Sequence, residues 1–313
     1  MDRNKTSVAI IIVNWNGYKD TSECLASIGK LSYNDFKVFI VDNGSSDNSY
    51  HLLKTFITQT SLDYAVELLK SNENLGFAGG NNIAIKQALN QGFEYFWMLN
   101  NDTVVDPKAL LYLVEEISKN KNIGIVGSKI YYYNSDTIWY AGGLVNKMTG
   151  FTKHIGNKQI DTGQFNNIKL VDYITGCSLL FRKELLDEIG FMMEDYFLYC
   201  EEVDWNIRAS KFGWKLVYIP KSVVYHKVSK SSGGALNLSP EVTYYYIRNP
   251  FVTIKRTQNK FAVFIAFWGM LFNGVKKFLK IFIMNEEQKI KRIELILKAM
   301  KDALFVNMGM LKR

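Results

Sequence analysis

The stretch WMLNNDTVVDP, from Trp97 to Pro107, contains an apolar run that stops at two asparagines and an aspartate and resumes two residues later. Carboxamide and carboxylate side chains at the end of a buried strand are well placed to meet a polar ligand. The stretch therefore predicts a strand that presents Asn100, Asn101 and Asp102 to such a ligand.

Three other apolar runs also end at polar or small residues. They are VAIIIV at residues 8–13, KVFIV at 37–41 and the run at 66–69, and each is followed by Asn, Asp, Gly or Ser within a few residues. Strands without polar alternation are buried on both faces, and their alternation with helices predicts a parallel sheet in an α/β fold. Because ligands bind at the carboxyl ends of such strands, we expect the four loops to meet at one crevice.

The rest of the chain predicts further elements around this sheet. Strands are expected at residues 123–133, 174–181 and 215–219, and helices at 108–119, from about 201 to 212, and at 240–255. Residues 134–171 are rich in Gly, Asn, Thr and Lys without a clear period, which indicates an irregular insertion or antiparallel hairpins. We expect a catalytic domain at residues 1–256 and a helical tail at 257–313.

Charge and cysteine content narrow the class of protein. The net charge of +8 is concentrated after residue 250, where 13 Lys or Arg stand against 4 Asp or Glu. A basic tail interleaved with apolar residues favours an anionic membrane surface over nucleic acid as a partner. The three cysteines show no CxxC spacing, which argues against a disulfide framework and a zinc site. The N-terminal sequence also lacks a signal-peptide pattern, so a cytoplasmic setting is expected.

Two loops are candidates for nucleotide binding. Asp42 and the turn of residues 43–45 offer a carboxylate for base or ribose groups and backbone N–H groups for phosphate, or they form a solvated, capped turn. The loop NLGFAGGNN at residues 74–82 is neither GxGxxG nor a Walker loop. Its glycines at 79 and 80 permit close approach to a ligand, or only a tight turn.

The opening stretch is a candidate cation site. Mg²⁺ and Mn²⁺ bind oxygen ligands, commonly one or two carboxylates together with substrate phosphates. Asp102 would be the direct ligand, and Asn100 or Asn101 would hydrogen-bond ribose or diphosphate. The alternative is that Asp102 caps the next helix, but Asp106, followed by Pro107, suits that role better.

The segment EDYFLYCEEVDWNIRA, residues 194–209, is a candidate source of a general base. Clustered and partly buried carboxylates raise one another's pKa, which favours proton abstraction near neutral pH. On a helix beginning near residue 201, Glu201 and Asp204 lie near one face and Glu202 on another. The alternative is an ordinary acidic helix N-terminus.

Six motifs occur in a characteristic order from about Val8 to Arg256: VAIIIVNWNG, VDNGSSD, NLGFAGGNN, LNNDT, ITGCSLLFRKELLDEIGFMMEDYFLYCEEVDWNIRA and VYHKVSKSSG. This order resembles that of the inverting family 2 glycosyltransferases of GT-A fold, especially the bacterial rhamnosyltransferase-like branch. The resemblance implies a Rossmann-like, mainly parallel sheet flanked by helices, with a C-terminal helical appendage.

The resemblance also implies roles for individual residues. Residues 100–102 match the family's DxD-type motif with Asn in its first position, so Asp102 and His226 would hold a divalent cation, Mg²⁺ or Mn²⁺. Glu202 matches a position that is usually Asp and acts as general base, and Glu201 and Asp204 remain alternatives. The implied donor-binding residues are Asn14, Asp42, Asn43, Gly76, Phe77, Gly80, Asn100 and Asn101.

The implied activity is transfer of a sugar, with inversion, from a nucleoside diphosphate sugar to a lipid-linked glycan during bacterial cell-surface polysaccharide synthesis. The expected donor is dTDP-rhamnose. Two alternatives stay open: a UDP-hexose or UDP-N-acetylhexosamine donor on the same fold, and a non-catalytic nucleotide-sugar-binding scaffold, motivated by the Asn at position 100 and the Glu at 202.

The tail is expected to lie on the inner face of the cell membrane. In FAVFIAFWGMLFNGVKKFLKIFI, residues 261–283, three lysines interrupt the apolar run after about 15 residues, fewer than the roughly 20 that a spanning helix needs. We therefore expect an interfacial helix, followed by a second amphipathic helix at 286–305. The alternatives are a helical cap over the core or a homodimer interface.

Overall fold

The computed structural model describes residues 7–228, 239–284 and 286–311. The described strands are β1 Val8–Asn14, β2 Phe36–Asn43, β3 Ala65–Ser71, β4 Tyr95–Leu99, β5 Thr103–Val105, β6 Ile123–Tyr132, β7 Ile138–Tyr140, β8 Gly143–Val145, β9 Thr152–His154, β10 Lys169–Leu170, β11 Ser178–Arg182 and β12 Lys215–His226. The described α-helices are α1 Tyr18–Ile28, α2 Ser49–Gln59, α3 Gly76–Asn90, α4 Ala109–Lys119, α5 Lys183–Ile189, α6 Glu201–Lys211, α7 Pro240–Thr257, α8 Lys260–Ile283 and α9 Lys289–Phe305, and a 3₁₀ turn spans Glu194–Tyr196.

The central sheet has the strand order β10-β12-β6-β11-β4-β1-β2-β3. Strands β3, β2, β1 and β4 are parallel neighbours, and so are β6 and β12. Alternate residues of β1 enter two separate cores: Ile10 packs with helices α1 and α4, and Ile11 packs with α3, α5 and α6. The prediction of a mainly parallel sheet flanked by helices is confirmed, and burial of both faces explains the absence of polar alternation.

Strand β11 runs antiparallel to both of its neighbours, β4 and β6. Its first residue, Ser178, lies opposite Leu99, the last residue of β4. The sequence pattern placed this strand from residue 174, but residues 174–177 form a turn. Because β11 is reversed, that turn lies at the same edge as the carboxyl ends of the parallel strands.

Two other predicted elements differ in extent from the structure. Strand β12 continues from the predicted 215–219 to His226, with a register shift between Ile219 and Val223 around Pro220. The insertion contains antiparallel pairings, as expected, with β8 and β9 forming a hairpin. The motif that begins at Val224 is described only as far as Val228, and its remainder lies outside the described residues.

Helices α7, α8 and α9 share a third hydrophobic core. Helix α8 is continuous over 24 residues, with its lysines inside the helix, and by length and composition alone it could cross a membrane. The helix predicted over residues 261–283 is therefore present, and its placement at a membrane interface stays a prediction. The buried residues of α8 include three small ones, Ala262, Ala266 and Gly274. Most of the helix is exposed, since only 22% of its most apolar 18-residue window is buried.

Candidate active site

The carboxyl ends of β1 and β2 are joined by side-chain hydrogen bonds. The strand register pairs Asn14 with Asp42, and Asn14 Nδ2 donates to Asp42 Oδ2 at 2.8 Å. The Thr21 hydroxyl donates to Asn14 Oδ1 at 2.8 Å and accepts from Asn101 Nδ2 at 3.0 Å. This chain of contacts links Asp42, Asn14 and Asn101 as one wall of the crevice. Thr21 was missed from the sequence, since a threonine in the first turn of a helix carries no distinctive signal.

Asp42 also stabilises the turn that follows β2. Its carboxylate accepts hydrogen bonds from the Ser45 hydroxyl at 2.7 Å and from the Ser45 N–H at 3.2 Å. The structure therefore contains the capped turn that was the alternative to a nucleotide contact. Because Asp42 is buried, a nucleotide that contacted it would do so with this turn in place.

The glycine-rich loop is held by Asn43. The Asn43 amide donates to the Gly76 carbonyl at 2.9 Å, and its Oδ1 accepts the Leu75 N–H at 3.1 Å. Gly76 has a φ of +73°, and a Cβ there would lie 2.1 Å from the Phe197 carbonyl oxygen. A Cβ on Gly80 would lie 2.7 Å from a Val13 methyl group. At both positions the glycine permits the loop to pack closely against neighbouring chain.

Gly76→Ala is expected to destabilise the protein far more than Gly92→Ala. Both glycines have positive φ, at +73° and +84°, but a Cβ on Gly92 would meet nothing within 4 Å. Each substitution costs about 1 kcal/mol for the left-handed backbone, and Gly76→Ala adds about 2 kcal/mol for overpacking. Urea denaturation of the two variants measures the difference. Equal losses would show that Phe197 does not constrain the loop.

Asp102 and His226 lie together at the next strand ends. Antiparallel pairing of β5 with β12 places His226 opposite Thr103, and His226 Nε2 is 3.1 Å from Asp102 Oδ1. Both side chains are buried, each residue being 7% exposed. Burial alone would lower the pKa of His226, but Cys177 and the Asp102 carboxylate outweigh that effect and raise the pKa to about 10. The Trp139 ring packs edge-to-face on His226, with centroids 4.5 Å apart.

This pair fits a divalent cation. A carboxylate oxygen and a neutral imidazole nitrogen are both suitable ligands, and they are close enough for one ion to contact both. Because the raised pKa favours the protonated ring, an ion that bound His226 would have to displace its Nε2 proton. Within residues 7–228, 239–284 and 286–311, no group of three or more His, Cys, Asp or Glu side chains is placed to hold a metal. Such ions commonly take further ligands from substrate phosphates and water.

The two asparagines before Asp102 have different surroundings. The Asn100 N–H donates to the Cys177 carbonyl at 3.0 Å, which joins the end of β4 to the turn before β11. The Asn101 amide donates to Thr21, and both asparagines are partly exposed. Asp106 accepts the Lys108 N–H at 2.9 Å in the turn before α4. The helix begins at Ala109 with Lys108 as its N-cap, so Asp106 does not occupy the capping position that the sequence predicted.

The three candidate bases occupy three environments. Asp204 is fully buried and paired with Arg208 Nε at 2.8 Å, and it accepts from the Tyr196 hydroxyl at 3.2 Å. Glu201 is 3% exposed, and burial, followed by the charge of Glu202, raises its pKa well above the ordinary value. Glu202 is partly exposed. It is the most exposed of the three residues, although its Oε2 atom is itself buried, and in the described part of the chain no cation is paired with its carboxylate.

Glu202 has the properties of a general base. Burial raises its pKa, an effect that hydrogen bonds from nearby backbone N–H groups, including that of Gly176, only partly offset. Its Oε2 atom is buried and has no hydrogen-bond partner in the described part of the chain, which is also true of Oε2 of Glu201. A carboxylate with a raised pKa and an unused oxygen can accept a proton from a substrate hydroxyl.

Gly176 connects this carboxylate to the glycine-rich loop. A Cβ on Gly176 would lie 2.7 Å from the Phe77 ring, and the Phe77 N–H donates to the Phe197 carbonyl at 2.9 Å. Phe77 and Glu202 thus both contact Gly176, in the turn before β11. Sequence reasoning missed Gly176, whose one signal was a glycine next to a buried apolar run.

Two relatives of known activity resemble this chain in sequence. Poly-beta-1,6-N-acetyl-D-glucosamine synthase of Staphylococcus epidermidis is 25% identical over 230 residues, which cover 72% of this chain and 51% of the synthase. Low-salt glycan biosynthesis hexosyltransferase Agl10 of Haloferax volcanii is 26% identical over 205 residues, covering 65% of this chain and 62% of Agl10. The chain thus spans about half the length of the synthase.

Solved structures share the fold. Staphylococcus aureus TarS 1-349 in complex with UDP-GlcNAc has a TM-score of 0.60 at 16% identity, covering 95% of this chain and 81% of that chain. The mannosyltransferase PcManGT from Pyrobaculum calidifontis, in complex with GDP-Man and Mn²⁺, has a TM-score of 0.60 at 13% identity, covering 96% and 87%. At these identities the likeness extends to the fold alone.

The family model described as Glycosyl transferase family 2 matches residues 9–190, which is more than half of the chain and includes β1 to β11. The matched part contains the strand ends at Asn14, Asp42 and Asp102 and the glycine-rich loop. The chain belongs to glycosyl transferase family 2.

Proposed function

We propose that this protein transfers a sugar from a nucleoside diphosphate sugar to a glycan acceptor, with Glu202 as the general base. The observation that supports this proposal is that Glu202 and Phe77 both contact Gly176, because this brings a carboxylate of raised pKa near the glycine-rich loop of a family 2 fold. Asn14, Asp42, Asn43, Gly76, Phe77 and Gly80 would form the donor side, together with Asn100 and Asn101.

The reaction we propose is a single displacement with inversion. Glu202 removes the proton of the acceptor hydroxyl as the oxygen attacks the anomeric carbon, and the nucleoside diphosphate leaves. A divalent cation, when bound, would neutralise charge on the leaving diphosphate. Asp102 and His226 would hold it, and their burial would keep competing water away from these ligands.

We propose a UDP-sugar donor, either UDP-N-acetylhexosamine or UDP-hexose. The relatives named above include an N-acetylglucosamine polymer synthase and a hexosyltransferase, and a similar fold binds UDP-GlcNAc. None of these supports the dTDP-rhamnose donor expected from the sequence pattern. The resemblance to the rhamnosyltransferase-like branch therefore supports membership of the family but does not identify the donor.

A donor panel tests this proposal. The full chain is incubated with UDP-GlcNAc, UDP-glucose, UDP-galactose, GDP-mannose and dTDP-rhamnose, and release of nucleoside diphosphate is measured with and without a glycan acceptor. We expect turnover with a UDP-sugar and stereochemical inversion in the product. Turnover with dTDP-rhamnose alone would support the donor expected from the sequence. No turnover with any donor would favour a non-catalytic nucleotide-sugar-binding scaffold.

The same proposal includes a lipid-linked acceptor, reached from the cytoplasmic face of the membrane. Helix α8 exposes large apolar side chains at intervals of three or four residues, which places them along one side of the helix. This apolar strip consists of Phe261, Phe264, Trp268, Phe272, Val275, Leu279 and Phe282. The neighbouring lysines at 276, 277 and 280 would favour anionic lipid headgroups. A homodimer through the same strip is the alternative.

Replacing strip residues with aspartate should abolish binding to anionic liposomes. Each exposed aromatic side chain contributes about 2 kcal/mol when buried in an apolar phase, so the triple variant Phe264→Asp, Trp268→Asp, Phe272→Asp should lose more than about 100-fold in partitioning. Flotation with phosphatidylglycerol vesicles measures it. Ile160→Asp, at a residue of the insertion that is 60% exposed, is the matched control. Unchanged flotation of the triple variant, or its conversion from dimer to monomer, would contradict membrane docking.

A further inference from the structure

The turn immediately before α6 is strained. Phe197, Tyr199 and Cys200 all have positive φ, at 65°, 65° and 71°, although none is glycine. Phe197, with ψ of −53°, is the centre of a γ-turn in which the Leu198 N–H donates to the Tyr196 carbonyl at 2.9 Å. This conformation is unfavourable for a residue that carries a Cβ. The Cys200 side chain makes no capping hydrogen bond, so contacts from elsewhere must hold the turn.

One side chain of α7 provides those contacts. Asn249 Nδ2 lies 3.3 Å from the Tyr196 carbonyl oxygen, 2.7 Å from that of Leu198 and 2.8 Å from that of Tyr199. The amide donates to all three, although it has only two hydrogens, so the hydrogen bonds are shared. Asn249 is fully buried. These contacts span the whole of the strained turn.

Arg248 orients that amide. Its Nε donates to Asn249 Oδ1 at 2.8 Å, which leaves Nδ2 directed at the turn, and its Nη2 donates to the Tyr196 carbonyl at 2.8 Å. The same guanidinium donates through Nη1 to the Gly309 carbonyl at 3.0 Å. A buried charged donor thus connects the turn to the chain beyond α9.

The turn lies between the two halves of the site. The Phe197 carbonyl accepts the Phe77 N–H of the glycine-rich loop, and Glu202 is the second residue of the helix that the turn begins. A shift of the turn would therefore move Glu202 relative to the donor loop. A displacement of about 1 Å at a reacting group can cost about 100-fold in rate.

We propose that Asn249, oriented by Arg248, is a positioning residue that fixes the location of Glu202 relative to the donor loop. This inference rests on the proposed function, because it assumes Glu202 is the base. It assigns to α7, which lies beyond the residues matched by the family model, a part in catalysis without contact with either substrate.

The test compares Asn249→Ala with Thr253→Val in the full chain. Thr253 is equally buried, one helical turn along α7. Its hydroxyl contacts the Tyr196 hydroxyl at 3.2 Å and the Cys200 side chain, but none of the three carbonyls, so the comparison isolates the carbonyl contacts of Asn249. With UDP-sugar as donor, Asn249→Ala should lower kcat between about 10- and 100-fold and leave the donor KM within about twofold. Thr253→Val should keep kcat within about threefold. Unchanged kcat in Asn249→Ala, or an equal loss in Thr253→Val, would overturn the proposal.

A second variant separates positioning from stability. Glycine adopts positive φ without steric cost, so adding Cys200→Gly to Asn249→Ala should recover part of the lost thermal stability. It restores no hydrogen bond to the three carbonyls, so kcat should stay low. If kcat returns together with stability, Asn249 has only a structural role. Glu202→Gln is assayed alongside. If Glu202→Gln remains active, the assigned base is wrong. If Glu202→Gln is inactive but Asn249→Ala keeps full activity, only the positioning role of Asn249 is refuted.

Discussion

Glu202→Gln is expected to lower kcat for sugar transfer by about 10³-fold, because the carboxamide is nearly the same size as the carboxyl group but cannot accept the proton of an acceptor hydroxyl. Donor affinity should be unchanged, since the Glu202 contacts described above are with backbone N–H groups and not with the strand ends that would hold the donor. Steady-state kinetics and calorimetric titration of the donor measure the two effects separately.

Glu201→Gln is the matched control. Burial, followed by the charge of Glu202, raises the pKa of Glu201 well above the ordinary value, and Gln keeps the size of this side chain without an ionisable group. We expect kcat within a few-fold of the wild type. Loss of turnover in Glu201→Gln, with activity retained in Glu202→Gln, would move the base to the neighbouring residue.

The raised pKa of Glu202 also predicts how kcat and stability change with pH. The base must be ionised, so kcat should rise with pH through a pKa above the ordinary value for glutamate. Stability has the opposite sign: a folded-state pKa above the unfolded value means that stability is lost as pH rises through it. Glu202→Gln removes that loss, so at neutral pH the variant should be at least as stable as the wild type while being inactive. A thermal melt checks this directly.

Asp102→Ala should weaken binding of the nucleoside diphosphate sugar about 100-fold in the presence of Mn²⁺. Even residues that only support metal ligands contribute about 10- to 100-fold to metal affinity, and Asp102 would be a direct ligand with one imidazole beside it. EDTA should weaken donor binding to the wild type by a similar factor and have little further effect on the variant. Calorimetric titration of donor into protein, with metal and with EDTA, measures all four affinities.

Asp106→Asn is the control for this change. Asp106 lies four residues farther along and accepts the Lys108 N–H in the turn before α4, so its loss should cost little stability and leave donor affinity unaltered. Wild-type turnover that is insensitive to EDTA would refute a cation at this site. Wild-type sensitivity combined with normal metal-dependent binding in Asp102→Ala would place the cation elsewhere.

The donor side of the fold was predictable from local sequence. Unbroken apolar runs indicate strands buried on both faces, and parallel pairing necessarily brings their polar carboxyl ends to one edge, as it does for Asn14 and Asp42. The position of Asp102 follows from the same rule. The position of His226 was harder to predict, because its contact with Asp102 requires that β12 extend beyond Pro220 and pair with β5.

The base side was less predictable, because it depends on contacts between distant parts of the chain. The antiparallel direction of β11 is not apparent in an apolar run, yet it places Gly176 against Glu202. The acidic segment looked uniform in sequence, but burial and the Arg208 ion pair distinguish Asp204 from Glu202. The positive φ values before α6 have no glycine to mark them. Such features come from tertiary structure, which overrides local propensity.

The Asn249 contacts also imply an order of assembly during synthesis. Tyr199 and Asn249 are 50 residues apart, and strands β1 to β4 with the loops that follow them precede both. During synthesis the N-terminal part of a chain leaves the ribosome first. A nascent chain ending before α7 would thus contain the loops proposed to bind the donor but lack the contacts that hold the turn before Glu202. The proposed active geometry would form as the ribosome adds α7 and the helix that carries the apolar strip, so that reactivity and this exposed apolar surface are acquired together.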